Sequence, residues 1–304
     1  MLLFGRSQVV TFLHPPMSPV IINILSHIPF YAYALGMVYL ANLFYQRTSD
    51  FSFLNELTER DNPAFGACFA GYLLGVAVAL TGAFPDDVAS WGDAAITMTY
   101  SGLLAILLMR VSIWINDKLI LNRFSIQTEM IRDRNVGAGA AVAGSSIGTG
   151  LVLAGALSGE SEGVFNAIRD IVVYWAVGQA LFIAGAAAFY KTAGYNVQET
   201  LENDNNAAAG ISLGGFLIAL GILVWSTLHD ASGNLLDELQ VTAILVVIGG
   251  PLLLLTSILT EKLILPRINL AKEIAIDKNS AAGLICAAAS VSTALLLAAL
   301  ITSH

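Results

Sequence analysis

Long apolar runs separated by short polar stretches dominate this chain. Runs able to cross a bilayer core of about 30 Å, which takes about 20 helical residues, lie at 20–45, 64–84, 94–115, 136–157, 171–190, 207–228, 241–260 and 281–301. They are continuous and rich in Ala, Leu and Gly, without the in–out alternation that a membrane barrel needs. The pattern therefore predicts eight transmembrane helices. Within the seventh, "GGPLLLL" at 249–255 places Pro251 beside two glycines and predicts a bend, because proline removes a helical hydrogen bond.

The polar stretches carry a repeat. "DNPAFGACFAGYLLG" at 61–75 returns as "DRNVGAGAAVAG" at 133–144, "DNNAAAGISLGGFLI" at 204–218 and "DKNSAAGLICAAAS" at 277–290. Asn62, Asn135, Asn206 and Asn279 recur at intervals of 73, 71 and 73 residues, each with glycine four residues on. Such a period marks a repeated structural unit, here two spans with the motif between them. The match is closer at 144 residues, where "DKLILNR" at 117–123 aligns with "EKLILPR" at 261–267, and Asp86 aligns with Asp230. The fold class is thus an all-α membrane protein of eight helices. Two parallel four-helix repeats, 20–158 and 159–304, follow an N-terminal extension, 1–19, and contain four two-helix units in all. An even number of spans per repeat leaves both copies facing the same way.

Each motif reads as a helix start. An Asn or Asp side chain before the first turn accepts hydrogen bonds from free backbone N–H groups, and an acid suits the positive end of the helix dipole. The candidate caps are Asn62, Asp133, Asn135, Asp204, Asn206, Asp277 and Asn279. In the first copy Arg60 takes the acid's place, so the cap there is expected to shift. Behind the caps the even spans are rich in small residues, whereas the odd spans carry bulky aromatics such as Tyr31, Tyr39, Trp175 and Phe182. Small residues four apart permit close helix contact in lipid. This predicts an inner group of even helices and an outer group of odd ones.

Charge sets the expected direction. The motif-bearing loops hold 12 of the 14 basic residues, while the alternate loops are acidic with only Arg169. The positive-inside rule makes the motif side cytoplasmic and puts both termini outside. The beginning, with one arginine before His14, Pro15 and Pro16, is a poor signal peptide, and a start at Met17 would keep all eight spans.

Composition narrows the chemistry. With 56% hydrophobic and 12% charged residues, 304 residues are too apolar for an ordinary soluble domain. Cys68 and Cys286 have neither CxxC spacing nor histidine neighbours and read as small core residues. No nucleophile–His–acid set, HExxH or phosphate-binding GxxxxGK[ST] occurs, so no enzyme, cofactor or metal site is indicated. A net charge of −8 argues against nucleic acid.

"DNPAFGACFAGYLLGVAVALTG", followed some seventy residues later by "DKLILNRFSIQTEMIRDRNVGAGAAVAGS", resembles the bacterial YjfL-like inner membrane proteins, the family called domain of unknown function 350. The resemblance covers residues 20–301 and implies two ordinary four-span members fused in tandem. It brings no catalytic residue. It does imply a role in envelope maintenance, since such proteins tend to be encoded near phage-shock-type membrane-remodelling proteins and polyamine-synthesis enzymes.

Three functional readings follow. In a passive channel, the four capped helix ends would converge at a mouth, attracting an anion or, through Glu56, Glu129 and Glu273, a cation. No span has an ionisable residue near its middle, and Arg110 lies where it can snorkel, which disfavours coupled transport. In a membrane scaffold or sensor, Lys118, Arg123, Lys262 and Arg267 would meet anionic lipid or a cytoplasmic peripheral membrane protein. In the plain structural reading, the same residues only cap helices and sit among headgroups. The scaffold in the inner membrane is the preferred reading, with the lipid bilayer, a peripheral protein and a homo-oligomer as its expected partners.

Overall fold

The computed structural model describes residues 18–84, 91–159, 163–229 and 234–302. Eight helices are long and apolar enough to cross a membrane: Pro19–Arg47, Pro63–Thr81, Trp91–Ile115, Val136–Ser158, Gly163–Thr192, Ala207–Leu228, Leu235–Leu259 and Ser280–Thr302, the first to eighth spans. Among the described residues there is no strand. The first 17 residues, His14, His304, Asp86 and Asp230 lie outside this description.

Two spans begin six or more residues earlier than hydropathy alone predicts. The fifth starts at Gly163 rather than near 171, because Arg169 and Asp170 pair at 2.7 Å and carry the helix past their charges. The seventh starts at Leu235, with Asp237 and Glu238 in its first turn, where the helix dipole favours acids. Pro251 lies inside that helix, which continues to Leu259.

The even spans form a row in which the second packs on the fourth, the fourth on the sixth and the sixth on the eighth. Glycine makes this possible. A Cβ on Gly71 would strike Ala143, one on Gly144 the backbone of Gly214, and one on Gly215 Ala287, so each seam closes backbone to backbone. The buried share of the spans is 50% for the second, 72% for the fourth, 83% for the sixth and 28% for the eighth, as expected for a row with two ends. The odd spans form a second row, first to third to fifth to seventh, each also packed on its even neighbours. The expected inner and outer groups are therefore two layered rows rather than helices around a central axis.

Short helical segments join the spans on the motif side. Wide π-type turns at Asn116–Ile120 and Thr260–Ile264 extend the third and seventh spans, and Asn55–Glu59, Thr128–Arg132, Val197–Asp204 and Leu270–Ala275 precede the four motifs. Asp117 accepts from the Ile126 amide at 2.7 Å, and its repeat counterpart Glu261 accepts from the Leu270 amide at 3.3 Å. The same carboxylate clasp thus folds both long loops.

Candidate functional site

The four motif asparagines each bond through both ends of the side-chain amide. Each Oδ1 caps its own span: Asn62 accepts from the Ala64 and Phe65 amides, Asn135 from Ala138, Asn206 from Ala209, and Asn279 from Ala281 and Ala282, at 3.0–3.4 Å. Each cap follows a residue with positive φ: Asp61 at 46°, Arg134 at 53°, Asn205 at 48° and Lys278 at 48°. That left-handed step ends the preceding helical turn and aims the asparagine back at it. In three copies the asparagine amide also donates to the carbonyl six residues earlier, on Glu56, Glu129 or Glu273.

The other end of each side chain reaches outward. Asn62 Nδ2 donates to the Met130 carbonyl at 2.9 Å, Asn135 Nδ2 to Leu201 at 2.5 Å, and Asn206 Nδ2 to Ile274 at 2.7 Å. Every acceptor belongs to the next two-helix unit, so one residue caps its own helix and ties down its neighbour. The ties join the amino ends of adjacent even spans, which therefore run parallel. Asn62, Asn135 and Asn206 are at most 4% exposed, whereas Asn279, in the last of the four units, is half-buried.

Several expectations are corrected here. Asp133, Asp204 and Asp277 do not cap: their side chains pair with Arg132 at 2.9 Å, Lys278 at 3.2 Å and Lys272 at 3.3 Å. The left-handed residue between acid and asparagine turns the acid away from the helix end. Arg132 holds the Asp133 carboxyl below the usual carboxylate range. Nor does the first cap shift, since Asn62 occupies the same place as the other three. Glu56, Glu129 and Glu273 do not line a shared mouth. Each accepts from the Nδ2 of its own asparagine at 2.7–2.9 Å, and Glu56 also binds Arg60 at 2.8 Å. Their charge is spent inside three separate units.

The basic residues Lys118, Arg123, Lys262 and Arg267 are exposed, with Lys118 paired to Asp117 at 2.6 Å. Exposed Leu119, Leu263, Ile264 and Ile276 stand among them and give both long loops a mixed apolar and cationic surface. Sequence reasoning missed the use made of Arg110. Instead of snorkelling freely, it lies 4.7 Å over the Tyr45 ring and donates through Nε to Thr48 Oγ1 at 2.8 Å and through Nη2 to the Thr48 carbonyl at 2.7 Å. It lines a cleft of about 460 Å³ with Asp50, Trp114, Lys118 and Gln127. The corresponding cleft in the second half holds about 30 Å³, with Leu254 in the place of Arg110. Among the described residues no group of three or more His, Cys, Asp or Glu could hold a metal.

A family model described as "Domain of Unknown Function (DUF350)" matches residues 19–157 and again residues 163–301. The chain belongs to this family. A "UPF0719 transmembrane protein" of Aquifex aeolicus (strain VF5) is 20% identical over 241 residues, 79% of this chain and 86% of the relative. No solved structure matches.

The two DUF350 copies join each other as the units inside each copy join. Within the first copy Gly139 presses on Ala64; between the copies Gly210 presses on Gly137; within the second Gly283 presses on Ala208. Counted from the motif asparagine, each is the fourth residue of one unit against the second residue of the unit before. The chain is therefore a row of four equivalent units, not two bodies with a separate interface.

Proposed function

We propose that the protein is a sealed scaffold of the bacterial inner membrane, its capped helix ends towards the cytoplasm, acting in envelope maintenance. The observation that carries this reading is the closure of the even row. At Gly144, Gly148, Gly210 and Gly221 the backbones of neighbouring spans are so close that a single added carbon would overlap them. Close-packed seams of this kind leave no width for water or ions between the small-residue helices. The apolar and cationic loop surfaces around Lys118, Arg123, Lys262 and Arg267 are the natural place for anionic headgroups and a peripheral membrane protein. The bias of basic residues to the motif side supports the orientation.

Solute flux tests the reading. Purified protein in liposomes is expected to pass small ions and a neutral dye no faster than empty vesicles do. In vesicles with anionic lipid, the quadruple reversal Lys118→Glu, Arg123→Glu, Lys262→Glu and Arg267→Glu should weaken lipid association without loss of fold. Saturable flux abolished by Asn135→Leu would refute the sealed scaffold and favour a channel.

A further inference from the structure

The row of units has two unlike ends, and each end presents the surface that the other end lacks. Every seam is built from the same register, so the free surfaces can be read off by repeat arithmetic. The ninth residue after one asparagine meets the eighth residue after the next: Gly71 with Ala143, Gly144 with Gly214, Gly215 with Ala287. The fourth fourth-position glycine, Gly66, belongs to the first unit, where nothing lies within 4 Å of an added Cβ. Around it Ala70 and Ala77 are exposed. At the far end Ala281, Ala288 and Ser292 of the eighth span are exposed as well.

A groove of about 380 Å³ opens there between the seventh and eighth spans, lined among others by Thr256, Thr260, Ile264, Ala288, Ser292 and Thr293. The residues 144 positions earlier are Ser112, Asn116, Ile120, Gly144, Gly148 and Thr149. In the first half, five of these contact groups from the second half: Ser112 accepts from Trp175 Nε1 at 2.8 Å, the Ile120 carbonyl from Tyr190 Oη at 2.8 Å, and Thr149 from Gln179 Nε2 at 3.2 Å, while Gly144 meets Gly214 and Gly148 meets Leu217. The groove is thus the repeat image of a filled seam.

We infer that a second copy of this chain docks head to tail, its second span seated on the eighth span of the first. The register brings Ala288 against Ala70, Ala281 against Gly66 and Ser292 against Ala77, each of the second copy. The half-buried Asn279, whose Nδ2 bonds only Glu273 among the described residues, is then placed to tie to the carbonyl five residues before Asn62, that of Leu57. Small side chains on both faces suit helix contact rather than lipid, because association in a bilayer is driven by close packing. The contact is heterologous, so it closes into a ring or runs on as a strip. One feature weakens it relative to the internal seams: where Lys278 meets Asp204, the new seam sets Asp61 against Asp277.

Cysteine cross-linking in native membranes tests the register. With Cys68 and Cys286 replaced by serine, a chain carrying Ala70→Cys and Ala288→Cys should form disulfide-linked dimers and higher multiples, while Leu74→Cys with Leu296→Cys should form few. Asp61→Lys should raise the yield several-fold. Gly66→Leu should abolish it yet leave the single chain as heat-stable as before, because that position faces open space within it. A single-chain mass in lipid nanodiscs together with no cross-link for the 70/288 pair would overturn the inference. So would equal cross-linking of both pairs, which would indicate random collision.

Discussion

Replacing Asn135, Asn206 and Asn279 one at a time should give a graded loss of stability, because the structure surrounds them unequally. Asn135→Ala removes a helix cap, worth about 1 kcal/mol. It also strips a donor from the buried Glu129 carboxylate and from the Leu201 carbonyl, each costing about 1–3 kcal/mol when left unsatisfied. The sum is about 5 kcal/mol, a large part of the stability of an ordinary domain. Asn206→Ala loses the cap and the Ile274 tie but no glutamate bond, since Thr200 stands at the glutamate position; about 3 kcal/mol follows from the same figures. Asn279→Ala loses a cap and one bond to a half-buried glutamate, or about 1–2 kcal/mol. Thermal inactivation in detergent micelles, read by size-exclusion chromatography, should order the variants 135, then 206, then 279. Asn135→Asp separates the two roles: it keeps the capping oxygen but faces Glu129 with a second carboxylate, and should be as damaging as alanine. Equal losses at 135 and 279, or a wild-type Asn135→Asp protein, would refute the coupling of cap and tie.

Gly144→Leu should prevent folding, because its side chain would enter the Gly214 backbone, whereas Gly36→Ala, in open space within the first span, should be neutral or stabilise by up to about 1 kcal/mol; expression and melting temperature distinguish them. Arg110→Leu, which installs the residue of the second half, should cost about 1 kcal/mol through the lost Thr48 bonds, read as a lower melting temperature in detergent. Asp133 is held below its ordinary range by Arg132, so its pairing is present at neutral pH and lost only as pH falls through that lowered value. Acidification from pH 7 to pH 5 should leave the carboxylate signal of labelled aspartate unchanged there, and Arg132→Gln should move its titration upward.

How much of this was legible depends on how local the signal is. The asparagine caps could be read because capping is settled within three residues of sequence. The eight spans could be read because length and hydropathy suffice, and the extra turns of the fifth and seventh could not, because paired or dipole-stabilised charges look like loop residues. The left-handed step was hidden by the side chains that take it: Asp61, Arg134 and Lys278 give no glycine to mark it. The error about Asp133, Asp204 and Asp277 follows directly, since without that step an acid two residues before the cap seems able to reach the same amides. The ties from Asn62, Asn135 and Asn206 to the next unit join residues 66–68 apart in sequence, a relation that no short pattern contains.

The choice between a ring and a row could not be read either, for a different reason. A repeat fixes the contact between neighbours, but closure depends on the rotation accumulated from one unit to the next, and four copies of a motif are compatible with both. The structure resolves it through inequality among equivalent residues. Gly139, Gly210 and Gly283 are pressed against a preceding unit and Gly66 is not; Asn62, Asn135 and Asn206 hold a following unit and Asn279 does not. In a closed set of four, those distinctions would vanish. Their presence at both ends is why the small-residue faces of the second and eighth spans remain uncovered among the described residues.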